Sequence, residues 1–158
     1  MSGNRESGST FEDIEVYQVA REFRKAMYGV DRQRPEIEKF GLASQMRRAA
    51  VSLTNNIAEG HGRFYFPDRI KFTLQARGSL EELVDDVNVC AEEKYLPVDE
   101  VGSLKQQGWR VRQLIDGYIR YLRAQTNSKG LPVREEPPQY GEGVKIDPIH
   151  DSRFNDSR

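Results

Sequence analysis

From Gly41 to His61 the chain reads GLASQMRRAAVSLTNNIAEGH, and the placing of its apolar residues decides the fold. Leu42, Met46, Ala49, Leu53, Ile57 and Gly60 recur at steps of three and four, the period of one face of an α-helix. A helix over Leu42–His61 spans about 30 Å at 1.5 Å per residue, so its apolar face needs partners of similar length. Upstream, Val16, Val19, Phe23, Met27 and Val30 keep the same period, widened by Ala20 and Ala26, and predict a helix over about 14–31. Asp31 to Pro35 breaks it, because a proline pushes the residue before it out of the α region.

Downstream, Gly60 and Gly62 end the helix, and Pro67-Asp68 suits the first turn of a third. That helix is expected to reach about Tyr95, with Phe72, Ala76, Leu80, Leu83, Val87 and Cys90 as its core stripe and Ile70, Leu74, Val84 and Ala91 broadening it. Pro97 closes the connection and Asp99 is the expected N-cap of a fourth helix. Its buried side reads Val101, Leu104, Val111, Leu114 or Ile115, Tyr118 and Leu122. No window alternates with period two for long enough to argue a strand. Four long helices joined by short loops predict an all-α, up-down-up-down four-helix bundle.

Composition sets the outer limits. The 158 residues carry 24 Lys+Arg against 25 Asp+Glu and 37% hydrophobic residues, with a mean hydropathy of −0.75, which suits one soluble domain with polar ends. Residues 1–10 are Gly/Ser-rich, and 126–158 hold Pro132, Pro137, Pro138 and Pro148 with apolar residues that follow no period. Residues 1–10 are read as disordered, and 126–158 as disordered or as a docking arm. The longest apolar run falls far short of the ~20 residues that cross a bilayer, and the first ten lack the order of a secretory signal, so a cytoplasmic location without membrane contact is expected. The single cysteine, Cys90, excludes an internal disulfide and reads as a core residue; with only His61 and His150 besides, a metal site is not expected. No nucleophile, metal set or phosphate-cradling loop accompanies Glu59, His61 or Glu82, so neither catalysis nor a cofactor is expected.

Two features exceed what a simple bundle needs. Gln45, Arg48, Ser52, Asn56, Glu59 and Arg63 recur at helical spacing beside the apolar face. They make either a solvated face or a hydrogen-bonded contact surface, the second favoured by the uncharged amides and hydroxyl. Gly78-Ser79 interrupts the third helix, where glycine costs about 1 kcal/mol relative to alanine; a close helix approach is expected to compensate, the alternative being a tolerated exposed glycine.

Three segments carry a resemblance. Gly41 to Gly60 followed by Arg63, Ala76-Arg-Gly-Ser-Leu-Glu-Glu-Leu83, and Phe11-Glu-Asp-Ile-Glu-Val-Tyr17 resemble the motifs of the bacterial 23S rRNA intervening-sequence (S23) proteins, over about 11–125. Tyr17, Leu53-Thr54 and Phe66-Pro67-Asp68 depart from the pattern. The resemblance implies a left-handed four-helix bundle assembled as a ring-like homopentamer. It also implies a fold similar to the accessory protein of diversity-generating retroelements, which binds nucleic acid and a reverse transcriptase. Carried over by position, its motif or interface residues are Gln45, Arg48, Ser52, Asn56, Glu59, Gly60, Arg63, Gly78, Ser79 and Glu82.

Charge then offers a mechanism. Residues 11–125 hold 18 bases and 18 acids, so any nucleic-acid surface must be local. Six acids and no base lie between Glu81 and Glu93, whereas Lys105, Arg110, Arg112, Arg120 and Arg123 face one acid, Asp116. Repeated around a ring, Arg110, Arg112, Arg120 and Arg123 would hold an RNA or DNA backbone with little sequence preference. Alternatively, acidic and basic strips meet across subunits and set their register. Tyr118 fits the core period, and Trp109 falls off it, either as a subunit contact or because the register slips near Gly108. Two functions follow: a non-enzymatic accessory ring for nucleic acid, with a reverse transcriptase or rRNA-processing partner, or a homo-oligomeric protein scaffold without a nucleic-acid role.

Overall fold

The computed structural model describes residues 9–33, 37 and 41–128. Among them are a single 3-10 turn and four α-helices, and no strand. The turn, Phe11–Asp13, leads into α1, Glu15–Gln33; α2 is Leu42–His61, α3 Phe66–Glu92 and α4 Val98–Ser128. α1 packs on α2 and α4, and α3 packs on α2 and α4, so each helix has two neighbours and the four close a bundle around one core. Among the described residues no helix is long and apolar enough to cross a membrane.

The core follows the helical period. Phe23 and Met27 of α1, Met46, Leu53 and Ile57 of α2, Leu80, Leu83 and Val87 of α3, and Val111, Ile115 and Leu122 of α4 are fully buried. Each contributes about 1.5–3 kcal/mol by leaving water. Ile119 joins them at 4% exposure, and Leu114 and Tyr118 pack from the side, half-buried. The register does not slip at Gly108: Leu104, Gly108, Val111 and Ile115 are all buried, and Trp109 stands 53% exposed. Leu74, expected to broaden the α3 stripe, is 41% exposed.

Caps refine the boundaries. Thr10 and Asp13 form a reciprocal capping box before α1, with the Thr10 N–H donating to Asp13 Oδ2 at 2.8 Å. Phe11 meets Tyr17 edge-to-face at 4.8 Å and ties the turn to the helix. α3 has its proline at the first turn, as expected, but stops at Glu92 rather than Tyr95. Lys94 takes a left-handed φ of 58°, and the Tyr95 N–H turns back to the Cys90 carbonyl at 2.8 Å, a closure that prevents further helix. α4 starts at Val98, so Asp99 sits inside its first turn and is not the N-cap; its carboxylate meets the positive helix end. The Pro97 carbonyl accepts the Val101 N–H there.

A polar tie joins α1 to α2: the Arg24 guanidinium donates to Thr54 Oγ1 at 2.7 Å, and the buried Thr54 hydroxyl donates to the Val51 carbonyl. Close approach is found at Gly60 and Gly108. A Cβ on Gly60 would lie 3.0 Å from Phe72 Cβ and 3.3 Å from the Arg69 carbonyl oxygen; one on Gly108 would lie 3.1 Å from Val84 Cγ2. At Gly78, by contrast, a Cβ meets nothing of its own chain within 4 Å, so the close approach expected there is absent within the chain.

These glycines predict opposite responses to alanine. Gly60→Ala should lower unfolding stability by about 1–3 kcal/mol, because rigid α3 backbone and a Cβ must move. Gly78→Ala should raise the stability of the isolated chain by about 0.5–1 kcal/mol through helix propensity alone. Urea denaturation of the two variants beside the parent checks both signs.

Candidate functional site

The middle of the polar stripe turns inward. Ser52 and Asn56 are half-buried, and Ser52 Oγ lies 2.9 Å from Ser79 Oγ across the α2–α3 seam. Asn56 Nδ2 donates to both the Ser52 hydroxyl (3.1 Å) and the Ser52 carbonyl (2.9 Å), while the Ser79 hydroxyl donates to the Gln75 carbonyl at 3.3 Å. Each hydroxyl has one proton. With the Ser79 proton on Gln75, Ser52 is the donor to Ser79, and the chain runs Asn56 to Ser52 to Ser79 to Gln75 in one direction. Four polar groups are thereby satisfied at a helix contact that apolar packing alone would leave free to slide.

The C-terminal end of the stripe builds the α2–α3 corner. Glu59 and Arg63 form an ion pair one helical turn apart, and the Arg63 guanidinium lies over the Phe72 ring at 4.6 Å. Arg69 Nε donates to the Arg63 carbonyl at 2.6 Å, and Gly60 lets Phe72 and Arg69 approach. Ser52, Asn56 and Ser79 thus bind the seam, and Glu59, Gly60 and Arg63 the corner. Gln45, Arg48, Gly78 and Glu82 remain exposed. Arg48 shares a shallow concavity of about 590 Å³ with Tyr28, Arg47, Val51, Asn55 and the two seam residues of α2.

The basic face divides in two. Arg112 is ion-paired to Glu81 of α3 and, through Nε at 3.1 Å, to Asp116, whose other oxygen is 3.4 Å from Arg77. That network spans α3 and α4 and leaves Arg112 only 23% exposed. Arg110 sits 3.9 Å from Glu15 of α1, with both side chains exposed, a pair worth about 0–1 kcal/mol. Arg120 and Arg123 are exposed and have no ion-pair partner among the described residues. Beside them Tyr118 and Tyr121 stack at 6.2 Å with planes 16° apart. Tyr118 leans on the core, which raises its hydroxyl pKa by burial against the lowering charge of Arg69; Tyr121 is 56% exposed.

The residue that sequence reading missed is Asp86. It occupies a core-facing position of α3, 7% exposed, and its Oδ2 accepts no hydrogen bond. Burial, reinforced by the neighbouring charges of Glu82 and Asp85, raises its pKa from 3.8 to about 6. Its own charge and, chiefly, burial push the Cys90 thiol to about 11, so Cys90 is a neutral core residue. The signal available in the sequence was the spacing: Asp86 lies three residues after Leu83 and four before Cys90. Among the described residues no three His, Cys, Asp or Glu side chains group as a metal site.

A raised native pKa means that the folded state binds the proton more tightly than the unfolded one. Asp86 therefore favours folding below about pH 4, and that contribution is lost as pH rises through 6. Asp86→Asn should stabilise the chain at pH 7.5 by about 1–3 kcal/mol, the rise from 3.8 to about 6 being worth about 3 kcal/mol at most. The gain should shrink towards zero near pH 4; melting temperatures of parent and variant across pH 4–8 check it.

No curated protein matches the chain. The sequence pattern of one family, described as 23S rRNA-intervening sequence protein, matches residues 12–117, which run from the opening turn through three of the helices and well into α4. The matched span contains the seam and the corner and stops short of Arg120 and Arg123. The chain belongs to the family of 23S rRNA-intervening sequence proteins.

Proposed function

We propose that the protein is a non-enzymatic accessory protein that assembles as a ring and holds an RNA or DNA backbone on the C-terminal part of α4. The observation that carries this reading is the pair Arg120 and Arg123, exposed and without a carboxylate partner among the described residues, next to the exposed ring of Tyr121. Guanidinium groups hold phosphates and an exposed aromatic face stacks on unpaired bases, so the patch suits single-stranded segments and reads no base edge. The family's link to rRNA intervening sequences supports nucleic acid as the partner class, with an rRNA-processing protein or a reverse transcriptase as the protein partner.

The assembly we infer is a left-handed, up-down-up-down bundle repeated five times. Short connections favour antiparallel neighbours: four residues separate α2 from α3 and five separate α3 from α4. Gln45, Arg48, Gly78 and Glu82 match the family motif, yet the internal seam and corner use none of them. Contact with a neighbouring subunit gives them a role, and Trp109 offers a second exposed anchor.

One observation favours the other reading, a homo-oligomeric protein scaffold. The α3–α4 ion-pair network already neutralises Arg112, so the basic face is weaker than the count of its arginines. The two readings separate cleanly. On the nucleic-acid reading, Arg120→Gln with Arg123→Gln should weaken binding to single-stranded RNA and reduce the salt slope by about 1–2, because each lost phosphate contact releases one fewer counterion. Arg112→Gln should lower thermal stability instead. Fluorescence anisotropy at several salt concentrations measures the first effect and a melting curve the second; unchanged anisotropy in the double variant would favour the scaffold. Light scattering should return five times the 18.2 kDa chain, and a monomer mass at micromolar concentration would remove the ring.

A further inference from the structure

A groove of about 520 Å³ lies between the start of α2 and the last two turns of α3, lined by Leu42, Gln45, Asp85, Asp86, Val89, Glu93 and Tyr95. Three of these carry carboxylates and none carries a positive charge. Such a cluster by itself is ordinary surface, but Asp86 is set apart. It is more than nine-tenths buried, lines the groove, and has an Oδ2 that no donor reaches. A buried carboxylate without a partner costs several kcal/mol unless a cation compensates it, and Asp86 lines the groove, where a cation would lie near its carboxylate.

The shape of the groove selects the kind of cation. A metal ion needs several oxygen ligands at one point, and no three acidic, His or Cys side chains group in that way among the described residues. The carboxylates are instead strung along the helix. Asp86 and Glu93 are two turns apart, about 10 Å, with Val89 on the same face between them and Leu42 and Tyr95 as walls. Two negative poles joined by an apolar floor complement a molecule with an ammonium at each end and methylenes between. Gln45 adds an amide carbonyl able to accept from an ammonium N–H.

We propose that this groove binds an aliphatic diamine or polyamine, with one ammonium at Asp86, the other at Glu93, and the alkyl chain against Leu42, Val89 and Tyr95. The site is separate from Arg120 and Arg123 and does not depend on the nucleic-acid reading. It carries its own pH dependence. Burial chiefly, reinforced by the charges of Glu82 and Asp85 on its own helix, holds the pKa of Asp86 near 6, and among the described lining residues α2 presents Leu42 and the neutral Gln45. An ammonium binds the carboxylate form, so affinity is full well above pH 6 and declines as pH falls through 6, with protons released on binding in that range.

Isothermal titration calorimetry of the full chain with spermidine and with putrescine, in an amine-free buffer at pH 7.5, tests the proposal, with propylamine and Mg²⁺ as comparison ligands. Saturable binding of one spermidine per chain is expected, at least about tenfold tighter than propylamine, since one ammonium cannot reach both poles. Asp86→Asn should weaken it about tenfold or more, and so should Glu93→Gln, an exposed position whose variant leaves the core untouched; Glu12→Gln should leave it unchanged. Lowering the pH from 7.5 to 5 should weaken the parent and leave the residual binding of Asp86→Asn flat. N-acetyl-lysine methylamide separates a free polyamine from a lysine side chain of a protein. Binding as tight as that of spermidine would assign the groove to protein lysine and overturn the polyamine. Equal affinity of parent and Glu93→Gln, or a Glu12→Gln loss as large as that of Asp86→Asn, would reduce the effect to general surface charge and overturn the site.

Discussion

Two hydroxyls 2.9 Å apart, Ser52 on α2 and Ser79 on α3, hold the register on which the bundle depends. Apolar faces bring helices together without preferring one sliding position over the next. A buried donor and acceptor do prefer one, since a shift of a single turn leaves both unpaired at about 1–3 kcal/mol each. Asn56 and the Gln75 carbonyl extend the link on either side. At the end of the seam, Gly60 sets how closely α3 starts against α2. With α2 and α3 locked, α1 and α4 dock on the two outer edges and close the core.

Helix positions were legible because burial follows period. The bounds of α2 agree with the span its apolar stripe predicts, and the α3 stripe from Ala76 to Cys90 is buried throughout. What failed was anything set by a second element. Gly78 and Gly60 look alike in a helical pattern, yet only Gly60 has a neighbour at 3.0 Å, and that neighbour comes from across the corner. Leu74 has the composition of a core residue and lies off the contact line. Asp86 sat unnoticed inside an acidic run because charge is read as solvated until burial is known. Six of the ten motif residues were legible as a stripe on α2, but the division of the set into seam, corner and open surface depends on distances between α2 and α3 that no spacing encodes.

The electrical two-sidedness of the chain looks different in three dimensions. The acidic run of α3 and the basic run of α4 are not separate faces. Glu81 reaches across to Arg112, and Asp116 is shared between Arg112 and Arg77, so part of each run cancels the other at the helix contact. Partly buried pairs of this kind fix alignment more than they stabilise. What survives outside is a small positive remainder at Arg120 and Arg123 and a negative one around Asp85 and Glu93, on different elements of the bundle.

The chain has one tryptophan, and it stands outside the core. An indole in water emits at long wavelength whether the bundle is folded or not, so Trp109 is a poor witness to unfolding. Its surroundings of Ser103, Gln106, Gln107, Arg110 and Gln113 are wet and uncrowded, and only something laid over them can dry the ring. The protein therefore carries, by the accident of where α4 turns its outer face, an optical probe tuned to what touches it rather than to how it folds.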